Sequence, residues 1–126
     1  AYPIHAYGFI IAGGVIRGVP APTPEAYLSG MGRAVAHVTP KPTAMVLNYP
    51  SNPTAQVVGL DFYKDAVAFA KKHDIWILSD LAYSEIYFGD EPPPSILRIP
   101  GAKDIAVEVN SLSKTYAMAG FRVGMA

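Results

Sequence analysis

Three apolar runs that each end in polar, chemically capable residues constrain this chain more than anything else in it. Thr43–Tyr49 runs into Pro50-Ser51-Asn52-Pro53, Ile75-Trp76-Ile77-Leu78 ends at Ser79-Asp80, and Ile105–Val109 delivers Asn110-Ser111-Leu112-Ser113-Lys114. Short runs without polar alternation read as strands buried on both faces, the habit of a parallel sheet. Between the first two lies Leu60–His73, where Leu60, Tyr63, Val67 and Ala70 share one helical face while Lys64, Asp65, Lys71 and Lys72 can face water. Upstream, the β-branched run Val15–Val19 before Pro20, Pro22 and Pro24 predicts another strand. Glu25–Val38 has Tyr27, Met31, Ala34, Val35 and Val38 at helical spacing, although Gly30 and Gly32 each weaken it by about 1 kcal/mol. Asp90-Glu91-Pro92-Pro93-Pro94 is a loop, and Phe121–Ala126 reads as a strand just begun. The order strand, helix, strand, helix, strand, strand predicts an α/β fold: a mostly parallel sheet with helices on both faces. Ligands of such sheets bind beyond the carboxyl ends of the strands, where Asn52, Asp80 and the Ser-Leu-Ser-Lys run fall.

Composition narrows the function classes. A chain of 126 residues, 51% hydrophobic, can bury a single-domain core. Ten basic and ten acidic residues leave a formal charge of +0, which gives neither a nucleic acid nor an anionic membrane a reason to bind. Without cysteine there is no disulfide framework and no thiolate metal site, so a reducing, cytoplasmic setting and no metal are expected. The most apolar stretch, Phe9–Val19, is broken by Gly13, Gly14 and Arg17, falls short of the ~20 residues of a membrane helix, and lacks a signal peptide's basic leader and cleavage site. The opening Ala1-Tyr2-Pro3 follows no element and the final run lacks a covering helix, so the chain is expected to be part of a longer polypeptide.

Taken singly, the candidate residues have ordinary readings: Lys114 a solvated lysine, Asp80 a cap, Asn52-Pro53 a turn opener, Tyr2 and Tyr83 packing rings, His5 a core histidine, Arg122 a surface ion-pair partner, Ser111 and Ser113 loop residues. Jointly they say more. Separate strand ends deliver an asparagine, an aspartate with a tyrosine three residues on, and a Ser-X-Ser-Lys run with an arginine eight residues past the lysine. That set suits a phosphorylated aromatic aldehyde bearing a pyridine nitrogen and a phenolic oxygen.

Four motifs in order, Tyr2-Pro3-Ile4-His5, Asn48-Tyr49-Pro50-Ser51-Asn52-Pro53-Thr54, Ser79-Asp80-Leu81-Ala82-Tyr83 and Ser111 through Gly124, resemble the class I/II aminotransferases of the fold-type I pyridoxal-phosphate superfamily, most closely the bacterial alanine aminotransferases. The resemblance implies that residues 1–126 are the central part of the large, pyridoxal 5'-phosphate-binding domain of the aspartate-aminotransferase-like fold, with the N-terminal segment and C-terminal small domain outside the chain. It implies a Schiff base between Lys114 and the cofactor, with Lys114 also serving as the base that moves the substrate proton; burial or nearby cations would have to lower its pKa from the free value of about 10.4. It assigns Asp80 to the pyridine nitrogen, His5 to backing Asp80, Asn52 and Tyr83 to the phenolic oxygen, Tyr2 to stacking on the ring, and Ser111, Ser113 and Arg122 to the phosphate.

The activity implied is ping-pong amino-group transfer between alanine or glutamate and a 2-oxo acid, in a homodimer, with the isolated segment inactive. A β-lyase on the same fold and a non-catalytic cofactor-binding module remain open, since the cofactor residues are common to all three. One departure stands out. The family motif is usually Asn-Pro-Thr-Gly, and here Ala55 occupies the glycine position, where a positive φ is less comfortable.

Overall fold

A computed structural model describes residues 2–126. Two helices, α1 (Pro3–Ile11) and α2 (Pro24–His37), precede β1 (Ala44–Asn48), α3 (Leu60–His73) and β2 (Trp76–Asp80); two single 3-10 turns then lead to β3 (Ala106–Ser111), the short α4 (Leu112–Thr115), a third such turn and β4 (Gly124–Met125). The sheet order is β1-β2-β3-β4. β1 and β2 pair in parallel with Asn48 opposite Asp80, β2 and β3 in parallel with Asp80 opposite Val109, and β4 runs back antiparallel with Gly124 opposite Ser111. The mostly parallel sheet expected from the three runs is therefore present.

Successive side chains of a strand point to opposite sides, so the sheet has two faces: α3 covers one, while α1 lies only over the carboxyl end of the other, leaving Trp76 and Val107 exposed. On β2, Ile77 and Ser79 point into the main core, where α3 buries Tyr63, Ala66, Val67 and Ala70 with Met45 and Leu47 of β1. Burying a residue such as Leu47, 1% exposed, stabilises the fold by about 2 to 3 kcal/mol. Leu78 and Asp80 point the other way, toward α1, across a groove of about 400 Å3 lined also by Ile4, Gly8, Phe9 and Val109. α1 is thinly seated: His5 is its one buried residue, while Ile4, Tyr7, Ile10 and Ile11 are exposed.

Local chemistry explains the helix limits. The Thr23 hydroxyl accepts from the Ala26 N–H at 3.2 Å with Pro24 in the first turn, a standard start for α2. α3 ends at Asp74, which takes the left-handed conformation, after Lys71, Lys72 and His73 have placed basic groups on the negative end of the helix dipole. Tyr27 donates its hydroxyl to the Val46 carbonyl at 3.0 Å, satisfying a backbone acceptor of the edge strand β1. Burial pushes the phenols of Tyr27 and Tyr63 far above their ordinary value, and that of Tyr49 upward as well.

The ends of the chain differ from the expectations. Val15–Val19 is not a strand but unpaired chain, with Val19 packed against Gly30 of α2. Its β-branched residues set a propensity, yet a strand also needs a neighbour, and β1 pairs only with β2. α1 stands where no element was expected. Pro3 at its first position and the Tyr2 N–H bonded to His5 start it, while its apolar residues, present on every side, leave no helical periodicity to read. Of the final run, Gly124–Met125 alone pairs, and Phe121 instead closes the 3-10 turn Ala119–Phe121.

Candidate active site

The carboxyl ends of β1, β2 and β3 lie side by side, and the residues that follow them meet there. Asp80, last in β2, is the most tightly held. Its Oδ2 lies 2.7 Å from His5 Nε2 and its Oδ1 accepts from the Ala82 N–H at 3.1 Å. His5 Nδ1 accepts the Tyr2 N–H at 3.2 Å, so the ring proton resides on Nε2 and is donated to the carboxylate. The histidine is 7% exposed and the aspartate side chain 16%, a pair largely shielded from solvent screening.

Beyond β1 the chain turns at Pro50–Ala55. Ser51 shapes this turn: its carbonyl accepts the Ala55 N–H at 2.8 Å, its hydroxyl accepts the Gln56 N–H at 3.1 Å, and it bonds Thr54 side chain to side chain. Ala55 adopts φ 54, so the left-handed turn usual for glycine is kept with alanine in place. The turn presents Asn52, whose Nδ2 donates to the Tyr83 hydroxyl at 3.3 Å. Two donor-capable groups thus converge from loops 31 residues apart in sequence.

Lys114, in α4, is exposed, and its Nζ lies 5.9 Å from the centre of the Tyr83 ring. Ser111 caps α4, its hydroxyl accepting the Ser113 N–H at 3.2 Å. The pairing of Ser111 with Gly124, and of the Leu112 N–H with the Val123 carbonyl at 3.2 Å, brings the Arg122 backbone beside this turn. Its guanidinium donates to the Ala119 carbonyl at 3.0 Å, and among the described residues no hydrogen bond joins it to either serine. Tyr2 is half exposed, its ring edge-on to His5 with centroids 6.4 Å apart. The structure therefore assembles His5 with Asp80 and Asn52 with Tyr83, sets Lys114 over the Tyr83 ring, and leaves Ser111, Ser113 and Arg122 adjacent in backbone alone.

Two buried residues at this edge escaped the sequence reading as site residues. Ser84, 7% exposed, donates to Asn110 Oδ1 at 3.5 Å and ties the Tyr83 turn to the end of β3. Asn48, 8% exposed, bonds both the Asp80 carbonyl and the Asn52 N–H. The available signal was an amide at the end of a fully apolar strand.

The cluster lies at the carboxyl edge of the parallel strands, the place where α/β folds bind their ligands. The family described as "Aminotransferase class I and II" matches residues 1–126, and the chain belongs to that family. It is 63% identical over 99% of its length to AatC of Rhizobium meliloti (strain 1021), an aminotransferase by name, and 47% identical over 98% to the "Glutamate-pyruvate aminotransferase AlaC" of Escherichia coli (strain K12). Among solved structures, the aromatic aminotransferase from Pyrococcus horikoshii OT3 superposes with a TM-score of 0.86 at 30% identity, covering 98% of this chain and 33% of that one. The chain spans 31% of AatC and 30% of AlaC, about a third of its relatives' length.

The family depends on pyridoxal phosphate, and the donor set here fits that group. Asp80 has a fixed carboxylate that could meet a ring nitrogen, the neighbouring Asn52 amide and Tyr83 hydroxyl could both donate to one oxygen, and Lys114 has a primary amine that could meet an aldehyde. Among the described residues, no His/Cys/Asp/Glu cluster suits a metal ion, and no helix is long and apolar enough to cross a membrane.

Proposed function

We propose that this chain is the central part of the cofactor-binding large domain of an aminotransferase that moves an amino group between alanine or glutamate and a 2-oxo acid. The carrying observation is the meeting of Asn52 and Tyr83 at 3.3 Å beneath the amine of Lys114, one strand away from an Asp80 held by His5. When bound, pyridoxal 5'-phosphate supplies an aldehyde that exchanges nitrogen and a ring that accepts electrons.

Asp80 would face the pyridine nitrogen and would favour a proton there, since an opposite charge at contact distance shifts a titration by about 1 to 3 units. His5 donates to one carboxylate oxygen and the Ala82 N–H to the other, which would hold the Asp80 carboxylate in orientation toward the ring. Asn52 and Tyr83 donate to the phenolic oxygen. Lys114 would anchor the cofactor through its primary amine and, when that amine is free, would take the proton from the substrate α-carbon. Ser111, Ser113 and Arg122 would hold the phosphate, for which the guanidinium would have to release the Ala119 carbonyl. Tyr2 stacks on the ring. The substrate-carboxylate arginine belongs to polypeptide outside these residues, and a second subunit completes the site in a cytoplasmic homodimer. The glutamate-pyruvate name of AlaC supports the substrate pair.

Borohydride reduction of the holoprotein followed by peptide mapping tests the anchor: the reduced adduct is expected on the peptide containing Lys114, and Lys114→Ala is expected to abolish both adduct and turnover. An adduct elsewhere, or an active alanine variant, overturns the assignment. Pyruvate and ammonia released without an oxo-acid acceptor would instead make the protein a β-lyase.

A further inference from the structure

Asn48 ends a strand whose other residues, Ala44, Met45, Val46 and Leu47, are all apolar, and it is itself 8% exposed. A buried amide without partners costs about 1 to 3 kcal/mol, so its presence requires hydrogen bonds that repay its burial. Both ends of the amide have them. Nδ2 donates across the sheet to the Asp80 carbonyl at 3.4 Å, and Oδ1 accepts the Asn52 N–H at 3.3 Å, four residues along its own chain.

These two bonds reach the two halves of the site. One fixes the backbone that carries the Asp80 carboxylate; the other fixes the backbone that carries the Asn52 amide. We infer that Asn48 is a positioning residue that sets the distance between the donor at the phenolic oxygen and the carboxylate at the pyridine nitrogen, without touching the cofactor itself. The inference rests on the reading of Asn52 and Asp80 given under the proposed function.

The physical reason for an amide here is its two-sidedness. An apolar residue of the same volume would fill the core equally well but bond neither loop. A serine reaches less far, and an aspartate can accept from Asn52 but cannot donate to a carbonyl. Ser51 and Thr54 already shape the far side of the turn, so Asn48 secures its near side, where the chain leaves β1.

The test uses the complete gene product reconstituted with pyridoxal 5'-phosphate and reads the pH midpoint of the bound cofactor's visible absorbance change, beside the melting temperature. Asn52→Ala, which removes a direct donor to the phenolic oxygen, is expected to raise the midpoint by about 1 pH unit. Asn48→Ala, which lets Asn52 drift, is expected to raise it by about half as much. Asn48→Leu keeps the core volume and carries the same expectation should the alanine variant not fold. Val67→Ala, a core truncation in α3 away from the site, is expected to lower the melting temperature and leave the midpoint unchanged. If Asn52→Ala shifts the midpoint and neither Asn48 variant does, the positioning role is overturned. If Val67→Ala shifts it as far as Asn48→Ala, the effect is general destabilisation and the inference is likewise overturned. If Asn52→Ala itself leaves the midpoint in place, the underlying reading of Asn52 fails instead.

Discussion

Replacing Ala55 with glycine should make the protein more stable. Ala55 sits at φ 54, and the left-handed conformation costs a residue bearing a β-carbon about 1 to 2 kcal/mol relative to glycine. Glycine gives back about 0.4 to 1 kcal/mol, because it widens the unfolded ensemble. The Ala55 side chain is exposed, so deleting its methyl removes almost no packing. Taking the middle of each range, the net gain is about 0.8 kcal/mol. With an unfolding entropy of about 2.1 cal/mol/K per residue, that is a rise of roughly 3 °C in melting temperature were these 126 residues the whole cooperative unit, and proportionally less in a longer chain. The Ala55 N–H bond to the Ser51 carbonyl survives the change, so the Asn52 turn and cofactor affinity should be preserved. Calorimetry and urea unfolding of wild type, Ala55→Gly and Ala55→Val measure it, the β-branched variant falling below wild type. A glycine variant melting at or below the wild type would refute the strain argument.

Two further outcomes follow from particular side chains. The phenols of Tyr27, Tyr49 and Tyr63 are raised in the folded state, so their contribution to stability is complete below the unfolded value of about 10 and is lost as pH rises beyond it. In an ultraviolet phenolate titration these three of the eight tyrosines should ionise only as the fold opens; all eight titrating together in a still-folded protein would contradict this. His5→Leu removes the donor to Asp80 but leaves the Ala82 N–H, so cofactor binding should weaken about 10-fold, the low end for a hydrogen bond to a charged group. Unchanged affinity by fluorescence titration would remove His5 from the site.

The centre of the fold was legible because its signals are local and redundant. Leu60–His73 carries its own periodicity, and the β1, β2 and β3 runs carry length, apolarity and polar ends, so element type and the edge bearing the site followed together. The Val15–Val19 run failed because pairing is a property of neighbours, and α1 went unseen because a helix apolar on every side has no stripe. At the site, the motif order pointed to Asp80, Asn52, Tyr83 and Lys114. The partners that orient them, Asn48 and Ser84, are ordinary turn letters until the sheet register sets them against Asp80 and Asn110.

The bond between His5 and Asp80 joins residues 75 positions apart, the widest span of any side-chain hydrogen bond among the described residues. Contacts of such range form after nearby ones, since a long loop must close first. The sheet and α3 can therefore reach their native packing while α1, held mainly by one buried ring, is still adrift. Orientation of the carboxylate is thereby separated from acquisition of the core, and local opening of α1, which buries only His5, would leave Asp80 with the Ala82 N–H alone while the rest of the protein stays folded.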